Sequence, residues 1–544
     1  MKQINFKKII FSLVVAGWAM GASAQSFLHA EGQNMVNEEG TNVLLEGVGL
    51  GNWMLPEGYM WKFGRFGDRP RKIEKLVADH IGQKKADQFW KEYRKNYITE
   101  ADIKRIADLG FNSVRPALNS RLFITEGENN KFVDEGFQLL DNLVKWCKKY
   151  HLYVIIDMHG APGGQTGQNI DDSPNDQPEL FMDPKNEELL VKLWVEIAER
   201  YKDESIIAAY DLLNEPLPER TGAADKYKHQ LVPLYQKLIQ AIRKVDQKHM
   251  FTIEGYNWAN NWSLFDKPLD DNMFFQFHYY CWDRPDHLNN ISHFLEKREE
   301  LNTPVWVGET GEKNNAIYFA TTQYFEKNNI GWSFWPWKKM DTENTPYSIK
   351  SPEGWPETAA YSRNGENITA TAAEKIFDQL LENIKIENCT YFPDVVNAML
   401  RRLPLKIEAE NYGSEGYLKS YFVNDTSIMS TNYRTEEPVK VEVINKNERS
   451  LSSDQAIDLI EGEWTAYRFS SLEKKQYHIK VKVKAIDQAA DIILWVNGKS
   501  NSLHVHSMDW NEQEVNPQVF RAGENKLKVE VKSGAIQLDW IDIY

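Results

Sequence analysis

Two glutamates stand where short apolar runs stop. Ala208–Leu213 leads into Leu213-Asn214-Glu215-Pro216, and Pro304–Gly308 leads into Gly308-Glu309-Thr310. A carboxylic acid can protonate the leaving oxygen of a glycosidic acetal while a second carboxylate attacks the anomeric carbon. Two such groups roughly 5 Å apart suit cleavage with retention. Other polar residues end similar runs: Arg115 after Asn112-Ser113-Val114, and His159 after Ile156-Asp157-Met158. His278 and Tyr280 are two apart, as are Trp335 and Trp337, and alternate residues of a strand share a face. Arg115 can hold a nearby carboxylate ionised as a nucleophile, and Tyr280 can hydrogen-bond the same group. Asn214 can grip a sugar 2-hydroxyl, a contact that strengthens in the transition state, and a Trp can floor a sugar subsite. His151, His229 and His249 end no strand and read as structural.

The elements that must position these residues alternate along residues 40–385. Eight short apolar runs read as strands: Val43–Gly49, Ser113–Leu118, Tyr153–Met158, Ala208–Leu213, Phe251–Gly255, Phe274–Tyr279, Pro304–Gly308 and Gly331–Trp335. Helical periodicity lies between them, as in Glu135–Tyr150 and Lys226–Val245. This pattern predicts an α/β fold, a (β/α)8 barrel, whose active site lies at the carboxyl ends of its strands. No G-x-G-x-x-G turn follows any strand, which argues against a doubly wound dinucleotide fold. Residues 386–404 read as a linker. From 405 to 544 the period changes to two: Tyr477, Ile479, Val481, Val483 and Ala485 alternate with His478, Lys480, Lys482 and Lys484, and Asn497-Gly498 marks a hairpin. An all-β sandwich is expected there.

Composition excludes several classes. The 544 residues carry a formal charge of −15, which opposes binding to nucleic acid and to anionic membranes. Lys2, Lys7 and Lys8, an apolar run from Ile9 and the Ala22-Ser23-Ala24 pattern predict a signal peptide over residues 1–24. An exported, periplasmic or extracellular protein without an integral membrane segment follows, and a monomer is expected. The three cysteines, Cys147, Cys281 and Cys389, supply no disulfide framework. Cys147 reads as helical and Cys281 as part of a buried strand. No metal-ligand spacing suggests a catalytic cofactor. The 18 tryptophans suit flat sugar rings and equally the core of a large fold.

Six motifs in order resemble glycoside hydrolase family 5, the cellulase-type clan: Asn112-Ser113-Val114-Arg115, Asp157-Met158-His159-Gly160, Leu213-Asn214-Glu215-Pro216, His278-Tyr279-Tyr280, Gly308-Glu309-Thr310 and the stretch from Trp332 to Trp337. The resemblance implies a retaining β-glycosidase over residues 25–385. Glu215 would be its proton donor and Glu309 its nucleophile, with Arg115, His159, Asn214, His278 and Tyr280 around the sugar and Trp335 or Trp337 beneath it. The substrate would be a β-linked glycan of the β-glucan type. Gly47-Val48-Gly49-Leu50-Gly51-Asn52-Trp53 and His159-Gly160-Ala161-Pro162-Gly163-Gly164-Gln165 resemble the exo-β-1,3-glucanase branch, which implicates Glu57 at the terminal sugar. A non-catalytic glycan-capture protein and a transglycosylase using the same site are the competing readings.

The C-terminal segment resembles carbohydrate-binding module family 6, through Ile407-Glu408-Ala409-Glu410-Asn411-Tyr412, Tyr433-Arg434, Gly462-Glu463-Trp464-Thr465-Ala466-Tyr467 and Leu538-Asp539-Trp540-Ile541. The resemblance implies a structural Ca²⁺ near Glu408, Glu410 and Asp539, and a sugar contact at Trp510. Two positions depart from it. Ser453-Asp454-Gln455 replaces a second aromatic, and Gln537 replaces a ligand Asn. A sandwich that only packs against the barrel is the alternative.

Overall fold

The computed structural model describes residues 25–544 except 128, 282–290, 365–369, 431–432 and 445–454. The predicted signal peptide lies outside the described residues. Eight parallel strands close into a barrel, each paired with the next in chain order and the last with the first. They are β1 (Glu46–Leu50), β2 (Ser113–Asn119), β3 (Tyr153–Gly160), β4 (Ile207–Asp211), β5 (Met250–Glu254), β6 (Met273–His278), β7 (Val305–Gly311) and β8 (Gly331–Trp335). Strands β2 to β8 are buried at every position. Buried parallel strands have no solvent face, so their sequences read as unbroken apolar runs.

Amphipathic helices cover the barrel. In α1 (Asp134–Tyr150), Phe137, Leu140, Leu143, Val144 and Cys147 are buried, and the helix stops at His151 in the left-handed region. The expected helix over Lys226–Val245 is instead broken. A short helix, Ala223–Tyr227, and one 3₁₀ turn precede α2 (Leu231–Ile242). Pro233 lies in the first turn of α2, where its missing N–H costs no intrahelical bond. Helix α3 (Asn315–Lys327) follows β7, and the linker contains α4 (Pro393–Met399). Thr322 of α3 donates to the Met399 carbonyl at 2.9 Å. One continuous apolar core joins barrel, linker helix and C-terminal domain.

That domain is two antiparallel sheets. The first has the order β11 (Lys440–Val443), β12 (Gln455–Ile460), β19 (Ala535–Ile543), β14 (Lys475–Ala485), β17 (Asn511–Phe520), with β9 (Leu405–Glu408) also paired to β19. The second has the order β10 (Tyr421–Phe422), β13 (Trp464–Ser471), β18 (Gly523–Ser533), β15 (Ala490–Val496), β16 (Lys499–Val505). Tyr477, Ile479, Val481, Val483 and Ala485 all point inward. Asn497-Gly498 joins β15 to β16 with φ of 50° and 86°, the left-handed pair that a two-residue hairpin turn demands.

Candidate active site

A cleft of about 770 Å³ opens at the carboxyl ends of the barrel strands, lined among others by Glu57, Tyr59, His159, Glu215, Trp258, His278, Tyr280, Glu309 and Trp335. Glu309 lies within β7, and the chain before it must be small. A Cβ on Gly308 would stand 1.8 Å from Gln276 Oε1 and 2.9 Å from His278 Nε2. Glu215 lies four residues past the end of β4, with φ of 42°. Its backbone N–H donates to Glu254 Oε2 at 2.5 Å. Gln165, in the loop after β3, donates to the carbonyls of His159 (2.6 Å) and Asn214 (2.9 Å), tying that loop to the Glu215 segment.

His278 bridges the two glutamates. Its Nδ1 is 2.7 Å from Glu215 Oε1 and 3.6 Å from Glu309 Oε2. One carboxylate oxygen from each glutamate and a ring nitrogen of His278 all lie within 4.8 Å of one another. Tyr280 Oη donates to Glu309 Oε2 at 2.5 Å. Fully buried Arg115 donates to Glu309 Oε1 (2.7 Å), Asn214 Oδ1 (2.8 Å) and Asp211 Oδ2 (2.9 Å). His159 pairs with Asp157 Oδ2 at 2.7 Å, and its Nε2 is 3.3 Å from Asn214 Nδ2.

These contacts split the two carboxyl groups. Burial works to raise Glu309, but His278, Arg115, His159 and the Tyr280 hydroxyl outweigh it and bring its pKa down to about 2. Glu215 is pushed the other way, first by burial and then by the charges of Glu309 and Glu254, against the pull of His278. Burial opposes charging of His159, yet Asp157 raises it to about 9. His278 stands well above its ordinary value despite burial, because Glu309, Glu254 and Glu215 surround it. One carboxyl favoured as the acid beside one held as the anion is the division of labour that acid/nucleophile catalysis needs.

Of Trp335 and Trp337, Trp335 lines the cleft. Its indole stacks on His159 at 5.2 Å and 7°, and its N–H donates to Tyr59 Oη at 3.1 Å. Strand β1 and the residue that follows it make room for it. A Cβ on Gly49 or Gly51 would meet the Trp335 ring at 2.3 or 2.5 Å, which explains the Gly-x-Gly alternation. Trp337 does not share this position. It is 1% exposed, and its N–H is taken by Asp102 Oδ1 at 3.1 Å. The strand stops at Trp335, so the period-two argument does not extend to Trp337. Cys281 likewise lies beyond β6 in the loop, with φ of 50°, rather than in the strand. Cys147 is in the helix expected for it, and His249 is a buried partner of Asp246 at 2.6 Å.

Glu57 is 2% exposed, lines the cleft, and is pushed well above the usual carboxylate range by burial. Several neighbours escaped the reading of the sequence: Asp157, Asp211 and Glu254 around Arg115, Gln165, and Trp258. The three acids had a signal, a lone carboxylate inside an apolar strand. Trp258 is the middle of three consecutive residues, Asn257, Trp258 and Ala259, with φ of 56°, 61° and 70°. Arg220 stacks over its ring at 5.0 Å and donates to Gln168 Oε1 at 3.1 Å. A run of left-handed non-glycine residues is costly and marks a constrained segment.

In the C-terminal domain, both oxygens of buried Glu410 and Oε2 of Glu408 find no donor in any other described residue. Burial pushes both carboxyls upward, Glu410 strongly. This donor chemistry fits a hard cation. The spacing is wider than in the cleft. Among the described residues, Glu215, His278 and Glu309 are the set whose ligand atoms all lie within 4.8 Å. Lys406 contacts Glu408 at 3.0 Å, and Lys482 contacts Asp539 at 2.8 Å. Trp510 is half-buried, with Lys484 5.0 Å from its ring centre.

The family profile described as Cellulase (glycosyl hydrolase family 5) matches residues 78–341. The chain is 24% identical to a beta-xylosidase of Phanerodontia chrysosporium over 66% of this chain and 83% of the relative. It is 32% identical to endoglucanase C of Acetivibrio thermocellus over 35% of this chain and 53% of that protein. It is 28% identical to a probable glucan 1,3-beta-glucosidase A of Aspergillus fumigatus over 49% and 65%. The chain thus spans only about half to two thirds of the length of the last two relatives. With the closed barrel and the polar residues at its strand ends, the match identifies the domain: the barrel of this chain belongs to glycoside hydrolase family 5, and the chain is a glycoside hydrolase.

Proposed function

We propose that the enzyme cleaves β-linked glucan-type saccharides with retention, through a covalent glycosyl intermediate on Glu309. The observation that carries this reading is the approach of Glu215 and Glu309 oxygens to within 4.8 Å. Retaining enzymes hold their carboxyl groups about 5–5.5 Å apart, whereas inverting enzymes leave about 6.5–9.5 Å for a water between them. In the first step the ionised Glu309 oxygen bonds to the anomeric carbon, the glycosidic C–O bond breaks, and Glu215 gives its proton to the leaving oxygen. In the second, Glu215 takes a proton from water. The water oxygen bonds to the anomeric carbon and Glu309 leaves. Trp335 on His159 floors the reacting sugar and Glu57 meets its far end. Trp258, backed by Arg220, flanks the leaving group.

Proton NMR of the first product tests this reading: a β anomer released first is expected, and an α anomer overturns it. The same assay on β-1,3-, β-1,4- and β-1,6-glucans and an aryl β-glucoside fixes the linkage. Turnover is expected on at least one β-glucan. The N-terminal pattern supports export. Among the described residues no helix is long and apolar enough to cross a membrane. Glu408, Glu410 and Asp539 would hold Ca²⁺, which would neutralise three buried carboxylates and tie β9 to β19.

A further inference from the structure

The outer face of the second sheet of the C-terminal domain carries a cationic groove unrelated to the catalytic cleft. It encloses about 450 Å³, lined by Arg468, Trp495, Asn497, Gly498, Arg521, Glu524, Lys526 and Lys528. Four of these are cations and one is an anion, in a chain whose formal charge is −15. The strand register makes the clustering costly. Arg468 of β13 lies directly opposite Lys526 of β18, and like charges opposite one another destabilise a sheet. The positive charges are only partly offset. Arg468 pairs with Glu415 and Glu524, and Lys528 pairs with Glu530 at 2.7 Å. Among the described residues no carboxylate lies within 4.0 Å of Arg521 or Lys526. The Lys526 ammonium instead donates to the Lys419 carbonyl at 3.0 Å. Burial and the charges of Arg468 and Lys528 depress its pKa.

Aromatic surface lies alongside. Half-buried Trp464 and Trp495 flank Lys528, whose Nζ is 5.3 Å from one ring centre and 5.1 Å from the other. Trp495 is pinned by donating its indole N–H to Glu530 Oε2 at 2.7 Å. Fixed indoles take the apolar face of a pyranose at small entropic cost, and guanidinium and ammonium groups take a carboxylate. A neutral glucan would leave the Arg468–Lys526 repulsion in place; a sugar carboxylate would relieve it.

We infer that this groove binds an acidic glycan, a chain bearing uronic acid residues, with a pyranose ring on Trp495 and its carboxylate between Lys526 and Arg521. The inference does not depend on the catalytic assignment. Calorimetric titration tests it on full-length protein carrying Glu309→Gln, so that no glycan is consumed. The probes are a β-1,4-linked glucuronic acid hexamer and the glucose hexamer of the same linkage. The acidic hexamer is expected to bind, and to bind more weakly as salt is raised. Lys526→Gln with Arg521→Gln, and separately Trp495→Ala, are each expected to weaken binding about tenfold or more, the loss expected for one good contact. In an otherwise wild-type chain the same substitutions are expected to leave hydrolysis unchanged, which shows that each variant is folded. Three results would overturn the inference. They are no heat with the acidic hexamer, equal affinity in the substituted proteins, or tighter Trp495-dependent binding of the neutral hexamer.

Discussion

Replacing His278 with Asn should move both limbs of the pH profile toward alkali. His278 is the largest of the influences that hold Glu309 down near 2, and it also restrains Glu215. At 3.6 Å from Glu309 Oε2, a charged imidazole is worth about 1 kcal/mol at the dielectric of water. At the effective value of about 20 that suits protein sites, it is worth about 4–5 kcal/mol. At about 1.4 kcal/mol per pKa unit, this is a shift of roughly one to three units. With Glu309 as the proposed nucleophile, the acid limb of kcat/KM should rise from near 2 to between about 3 and 5. With Glu215 as the proposed acid, the alkaline limb should rise as well, because the 2.7 Å contact from His278 Nδ1 also lowers that group. Asn keeps a donor but no charge, so packing changes little. The assay is kcat/KM on an aryl β-glucoside from about pH 3 to 9, with thermal melts to confirm folding. An unmoved acid limb, or one displaced downward, would refute the electrostatic account of Glu309.

Glu215→Gln removes the proposed proton donor. Hydrolysis of an oligosaccharide should fall by about 10²–10⁴-fold, whereas the glycosylation step on a substrate with a very good leaving group should be spared; equal losses on both would count against Glu215. Gly308→Ala must displace Gln276 and His278. Activity is expected to collapse, with melting showing an overpacking cost of about 1–3 kcal/mol; wild-type kinetics would contradict the packing. Trp335→Ala should reduce kcat/KM and also lower the melting temperature, because that ring is buried against His159 and Gly49. Trp337→Ala should lower the melting temperature while sparing kcat/KM, since that ring is fully buried and does not line the cleft. The His159–Asp157 pair makes a pH-dependent contribution. His159 is raised from 6.5 to about 9, so its stabilisation is complete below about 6.5 and is lost as pH climbs through about 9. His159→Gln should flatten that part of the stability curve.

Much of this was legible because the chemistry sits at strand ends. Parallel strands buried on both sides advertise themselves as apolar runs, and Glu215 and Glu309 stood out as the polar residues where two runs stop. The Arg115 cluster was half legible. Arg115 stood out as a cation on a predicted strand, but Asp157, Asp211 and Glu254 lay inside apolar runs and counted against the pattern instead of toward the site. Trp337 shows where periodicity misleads, since it predicts a shared face only while the strand continues. Trp258 carried no periodic signal at all. It reaches the cleft through three left-handed residues, a backbone path that side-chain types do not encode. The break before α2 had one clue, Pro233, which fits a first helical turn better than the interior of a long helix.

A bond between Glu309 and the anomeric carbon of the sugar can be trapped. A 2-deoxy-2-fluoro β-glucoside with an activated leaving group would form the glycosyl enzyme and lose it slowly, allowing peptide mass spectrometry to locate the adduct. One fluorosugar per chain is expected, on the peptide containing Glu309, with release of the activated leaving group in a burst. An adduct on Glu215, or inactivation-free turnover that yields an inverted product, would contradict it.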